Sequence, residues 1–234
     1  MRGRSREGNA AWLRRTGATE GILLIGGASV ADLRLRYAQA ILRDDLTPSH
    51  WSLAGILVDA ETFLSVPLEL SGDVSTIPPN NGIRTCAVSD YDDPARYPNI
   101  AFLSFARGAE AIQTAVAQVR RQRSLLDIPK LIVAWLAYVW GVDDGNPLAS
   151  GHGTPSAAFV EAAHNVANIE LTPGVVSAAS CPEAIWQAAK WWEEYYRDTA
   201  RVAATAARPA PGHAIPEVPR GQYLIRRSVQ GRDA

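Results

Sequence analysis

The order of the apolar runs constrains this chain more than any single motif. In the first half the runs are short, β-like and bounded by turn residues. GILLIGGAS reads as a short strand ended by glycines, WSLAGILVD as the central strand, and IRTCAVSDY and NIAFLSFA as two more. TFLSVPLEL reads as a strand in which Pro67 marks an edge or a bulge. STIPPNNG is a loop rich in turn formers. The one helix expected among these strands is VADLRLRYAQAILRD. In it Val30, Leu33, Tyr37 and Ile41 recur at three- and four-residue spacing and define the inward stripe.

The second half is helical. GAEAIQTAVAQVRRQRSLL, KLIVAWLAYVWG, SAAFVEAAHNVANI and the long CPEAIWQAAKWWEEYYRDTARVAATAA read as successive helices. The second of these is apolar nearly all round and is expected to be buried. Strands first and helices after predict an α+β fold: a small antiparallel sheet or half-barrel packed against helices, not alternating βαβ units. Residues 1–18 are polar and basic and read as a flexible arm or a frayed first helix. Residues 19–207 read as one domain. In 208–234 prolines recur without a period, so this stretch reads as a tail that is disordered or wraps the domain.

Composition narrows the functional classes. A hydrophobic content of 47% with 20% charged residues is enough for a sizeable core. The net charge of −1 gives no global basic field, so no nucleic-acid partner is expected. LIVAWLAYVWG is about half the length that spans a bilayer. GILLIGG is too short for a signal-peptide core and has no small-residue cleavage site behind it. Two cysteines, Cys86 and Cys181, make no disulfide framework. Together these features predict a soluble cytoplasmic protein, and the Ala/Arg-rich style suggests a bacterial one.

Candidate chemistry lies at helix starts and strand mouths. There is no HExxH and no CxxC, and no histidine and carboxylate are read as a metal pair, so no metal is expected. GGAS lacks the Lys-Ser/Thr ending of a phosphate loop, and GHG is not GxGxxG, so no cofactor is expected. Ser156 follows Pro155, where free N–H groups and a positive dipole end would favour an activated hydroxyl. The same position suits a plain N-cap serine. Cys181 precedes Pro182 and also stands at a helix start, as a reactive thiol or a small buried cap. Of the four histidines, His50 stands at the mouth of the central strand, where a general base or a turn cap would sit. His152 lies in a Gly-flanked loop four residues before Ser156 and could meet a ligand. His164 reads as a satisfied or solvated helix residue, and His213 falls in the Pro-rich stretch. Glu69 could orient a histidine on a neighbouring strand. Asp90, Asp92 and Asp93 form a turn-making acidic cluster. Trp191, Trp192, Tyr195 and Tyr196 exceed one helix face and mark a candidate interface.

Taken in order, these segments resemble the circularly permuted papain-like hydrolases related to the NlpC-type cell-wall amidases. GILLIGG is similar to that family's opening strand and SHWSLAGILVD to its histidine strand. LELSG, NNGIRTCAVSDYDDP and NIAFLSF are similar to its middle region, and TPSAAFVEAAHNVANIELTPG to its nucleophile helix. The resemblance spans roughly residues 20–175 and rests on the order of four weak motifs. It implies a papain-like hydrolase of a peptide, amide, acyl-ester or lipid-like substrate, or a degenerate member that binds a ligand or protein partner in the old cleft. It places Ser156 where the family has its cysteine and Glu69 at the third, orienting position. The family's histidine would fall at position 53, where this chain has Leu53; His50 stands three residues earlier. Catalysis would then use Ser156, His50 and Glu69, with His152 and Cys181 at the substrate; the alternative nucleophile is Cys181, served by His152 or His50.

Overall fold

A computed structural model describes residues 7–68, 78–105, 109–205 and 221–226. Six strands form one antiparallel sheet: β1 (Gly21–Gly26), β2 (Leu53–Leu57), β3 (Thr62–Ser65), β4 (Arg84–Ala87), β5 (Asn99–Phe105) and β6 (Gly221–Arg226). Their spatial order is β4-β3-β2-β1-β5-β6. The helices are α1 (Asn9–Thr16), α2 (Val30–Ala38), α3 (Ala109–Arg121), α4 (Ile128–Trp140), α5 (Pro155–Val166) and α6 (Pro182–Thr205). The architecture is α+β, with the sheet packed against helices. No described helix is long and apolar enough to cross a membrane.

The nearly unbroken apolar sequence of β1 follows from burial on both sides of the sheet. Ile22 and Leu24 join a core with α3, α5 and the start of α6. Leu23 and Ile25, on the opposite face, join a second core with Trp12 and Leu13 of α1. Leu24 sits opposite Ala54 of β2 and Ala101 of β5, so the middle of the sheet is lined by small partners. That leaves room for α5 to lie close against it.

Of the two readings of residues 1–18, a flexible arm or a frayed first helix, the second holds for Asn9–Thr16, which form α1 and cover the second sheet face. Asn9 Nδ2 donates to the carbonyls of Tyr91 (2.8 Å) and Tyr97 (2.9 Å), and the Ala10 N–H donates to Asp92 Oδ1 at 2.7 Å. Asp92, from the SDYDDP turn, therefore anchors a helix end. At the other end of the chain, GQYLIR inside the Pro-rich stretch forms β6, which adds an edge strand beside β5 with Phe102 opposite Leu224.

Two helix faces differ from their reading in sequence. The expected inward stripe of α2 and the turn after it points outward: Val30 is 74% exposed, Tyr37 61% and Ile41 54%, and Leu33 is also exposed. Leu35 and Ala38 face inward instead, packing on Trp135 and Val139 of α4. The orientation is fixed by polar ties. Arg34 donates to the carbonyls of Tyr138 and Val139 at the end of α4, and Arg36 donates to those of Gly27 and Ser49. The other difference is α4, which is not buried all round: Val133 and Trp140 are exposed.

Candidate functional site

The approach to α5 explains the sequence GHGTPS. Gly151 has φ +75°, a left-handed conformation that suits glycine, and it ends a short 3-10 turn. Gly153 runs against the segment before α6. Its N–H donates to the Ala178 carbonyl at 2.6 Å, and a Cβ at this position would stand 2.2 Å from the Ser180 carbonyl oxygen. Trp135 Nε1 donates to the Gly153 carbonyl at 2.7 Å. The Thr154 N–H donates to the Ser180 carbonyl at 2.9 Å. The helix start is thus held by three hydrogen bonds to two segments, the stretch before α6 and α4.

Ser156 is not the helix cap. Thr154 is the N-cap and Pro155 occupies the first helical turn, which places Ser156 one step inside the helix. The Ser156 hydroxyl is buried and accepts a hydrogen bond from the Ala54 N–H of β2 at 3.2 Å. At this point β3 has already left β2, and Ser65 donates its hydroxyl to the Ala54 carbonyl at 2.6 Å. Side chains from two elements therefore complete the hydrogen bonding of β2 where the ladder stops.

Thr154 caps its helix in backbone conformation only. Its hydroxyl makes no capping bond, although threonine is a preferred N-cap because it can. The residue is 1% exposed and its Oγ1 has no hydrogen-bond partner among the described residues. Leaving a hydroxyl buried and unpaired costs about 1–3 kcal/mol.

Ser156 and Thr154 both line a cleft of about 800 Å³. Its walls come from the ends of β1 and β2, the start of α2, the chain after β3, the 91–97 turn and the start of α5. Leu53 lines the same cleft. Most of the wall is apolar. The polar part opposite α5 is one closed group: Asp32 accepts from the hydroxyls of Ser52 (2.7 Å) and Ser29 (2.6 Å) and from the Ser29 N–H (3.2 Å). Ser29 and Asp32 form the capping box that starts α2. Arg96 brings an exposed guanidinium to the rim, 5.5 Å from the centre of the Tyr97 ring.

The other residues singled out from sequence are placed as follows. No histidine is among the described residues lining the cleft. His50 is half-buried before β2, its ring edge-on to Trp51 at 6.2 Å, and its carbonyl accepts from Asn99 Nδ2. His152 is half-buried with its N–H donating to the Pro147 carbonyl. Cys181 is fully buried at the start of α6, and burial pushes its thiol up to about 12, the reverse of an activated thiolate. Glu69 lies outside the described residues. Trp191 and Tyr195 are exposed and stack at 5.4 Å, whereas Trp192 turns inward and donates to the Leu171 carbonyl. The side chain of Tyr196 lies outside the described part. Among the described residues no three His, Cys, Asp or Glu gather where they could hold a metal ion.

Sequence reasoning missed Thr154, Ser52, Asp32 and Arg96. A signal existed for Thr154 and Asp32, since Thr-Pro is a helix-start signature and Ser29-x-x-Asp32 is a capping box. No local pattern marks Ser52 or Arg96.

Further along α5, Glu161 and His164 are buried polar groups of a different kind. Glu161 accepts from the Thr172 N–H at 3.1 Å, from the Thr172 hydroxyl through a short bond, and from the Ser180 hydroxyl at 3.4 Å. Burial raises its pKa above the usual carboxylate value, and these hydrogen bonds partly offset the rise. His164 Nδ1 donates to the Val160 carbonyl at 2.7 Å, and burial lowers its pKa to about 4.

No protein-family model, curated protein or solved structure matches the chain.

Proposed function

We propose that the chain is a degenerate papain-like module whose cleft binds a ligand without cleaving it. The observation that carries this reading is that Ser156 and Leu53, the positions that the resemblance assigns to the nucleophile and its histidine, both line one cleft. A serine hydroxyl is barely ionised at neutral pH and needs a base to attack a carbonyl. Removing the histidine from a serine triad costs on the order of 10⁶-fold in kcat. In place of a base, Ser156 meets the Ala54 N–H, a donor, which cannot take its proton. The apolar walls and few polar groups are those of a small-molecule site, and about 800 Å³ falls within the usual range for one.

A fluorophosphonate probe that labels activated serines tests the reading. The intact protein is expected to remain unlabelled at neutral pH. Labelling that disappears in Ser156→Ala would overturn it and restore a hydrolase using Ser156, with His50 and Glu69 as its partners.

A further inference from the structure

The two ends of the cleft have opposite hydrogen-bonding states. On one side Asp32 is already given to Ser29 and Ser52, with Arg36 nearby as a half-buried cation whose N–H groups go to backbone carbonyls. That side has no acceptor in search of a ligand cation. On the other side the first turn of α5 offers donors. Its first position is proline, the Ala158 N–H already returns to the Thr154 carbonyl at 2.9 Å, and among the described residues no side chain caps the N–H groups of Ser156 and Ala157. The helix has 12 residues, long enough for its N-terminus to carry a positive dipole end. Independently, Thr154 on the cleft wall is 1% exposed, and its hydroxyl has no partner among the described residues. Thr154 and Ser156 both stand on the cleft wall, so a group with acceptor oxygens placed there would meet the Thr154 hydroxyl and the Ser156 N–H.

Charge and shape narrow the ligand further. The rim cation Arg96 and the helix end both favour a negative group. Ile25, Val30, Leu35, Leu53, Val66 and Leu68 supply apolar wall for the rest of the molecule. We infer that the cleft takes a monocarboxylate with an apolar body, its carboxylate at the first turn of α5 against Thr154. The inference rests on the reading of the cleft as a binding site.

Calorimetric titration of the purified full chain with dodecanoate, dodecanol and methyl dodecanoate tests this, each kept below its aggregation limit. Dodecanoate is expected to bind at least about tenfold more tightly than the alcohol or the ester. Thr154→Val should weaken dodecanoate by about tenfold and leave the ester unchanged, whereas Thr154→Ser should keep the affinity of the acid. Circular dichroism of each variant checks that the fold is retained. Equal binding of acid and ester, an unaltered affinity in Thr154→Val, or no binding of any of the three overturns the carboxylate inference. Methanol released from the ester by the intact protein but not by Ser156→Ala overturns the binding-module reading instead, so the two failures are distinguishable.

Discussion

The two ends of α5 handle buried polar groups in opposite ways. At its start Thr154 keeps a hydroxyl without a partner and Ser156 spends its own on the backbone of a neighbouring strand, both beside a cleft. Two turns later Glu161 is equally buried, but Thr172 and Ser180 satisfy it, and His164 is closed onto the Val160 carbonyl. A paired buried group holds a fold together; an unpaired one is a standing cost that a ligand can relieve. The difference separates the structural half of this helix from its candidate functional half.

Removing a buried polar group should therefore have opposite signs at the two ends. Glu161→Ala leaves the donors of Thr172 and Ser180 buried without an acceptor and should lower stability by about 3 kcal/mol, read by urea denaturation. Acid should find the same end of the helix. His164 holds its proton far less well folded (pKa about 4) than unfolded (about 6.5), so its contribution is complete above pH 6.5 and is lost as pH falls toward 4. The loss amounts to about 3 kcal/mol. Glu161 works with the opposite sign: its raised pKa makes stability fall as pH climbs above the usual carboxylate value. The histidine effect is therefore read as the difference between the intact protein and His164→Gln across pH 4–6.5, a difference that should shrink toward acid.

Effects at the cleft end are smaller, and one is reversed. Gly153→Ala drives a methyl group into the Ser180 carbonyl and should cost about 2 kcal/mol in thermal denaturation. Thr154→Val removes an unsatisfied hydroxyl at nearly constant volume and should raise the stability of the ligand-free protein by about 1 kcal/mol. A destabilised Thr154→Val would make the two ends of α5 alike and remove the contrast.

Much of the fold is legible in the sequence, because β1, β2 and β5 are apolar runs bounded by turn residues and the helices of the second half keep their period. The α2 stripe is misread because periodicity finds an apolar face without saying what covers it. Leu35 and Ala38 suffice to pack on α4, and Arg34 and Arg36 fix the helix with their backbone ties. The N-terminal segment reads either as an arm or as a frayed helix because Trp12 and Leu13 are few among basic residues; both are buried against the second sheet face. At the candidate site, Ser156 and Leu53 follow only from the proposed resemblance in the order of the strands. The idle hydroxyl of Thr154 does not, because a cap that makes no capping bond has the same letters as one that does. Cys181 has the local pattern of a reactive thiol but lies where burial keeps it protonated.

Alkylation by iodoacetamide in two engineered variants most directly tests whether the cleft is a papain-like site that lacks its base. Cys86 and Cys181 are buried and give a low background. Ser156→Cys alone should react slowly at neutral pH, and adding Leu53→His should speed alkylation at position 156 by at least about tenfold, as a neighbouring imidazolium lowers the thiol pKa. Fast alkylation of Ser156→Cys with Leu53 still in place would show that another base already serves the site. Equal, slow rates in both variants would show that positions 53 and 156 do not face each other as nucleophile and base.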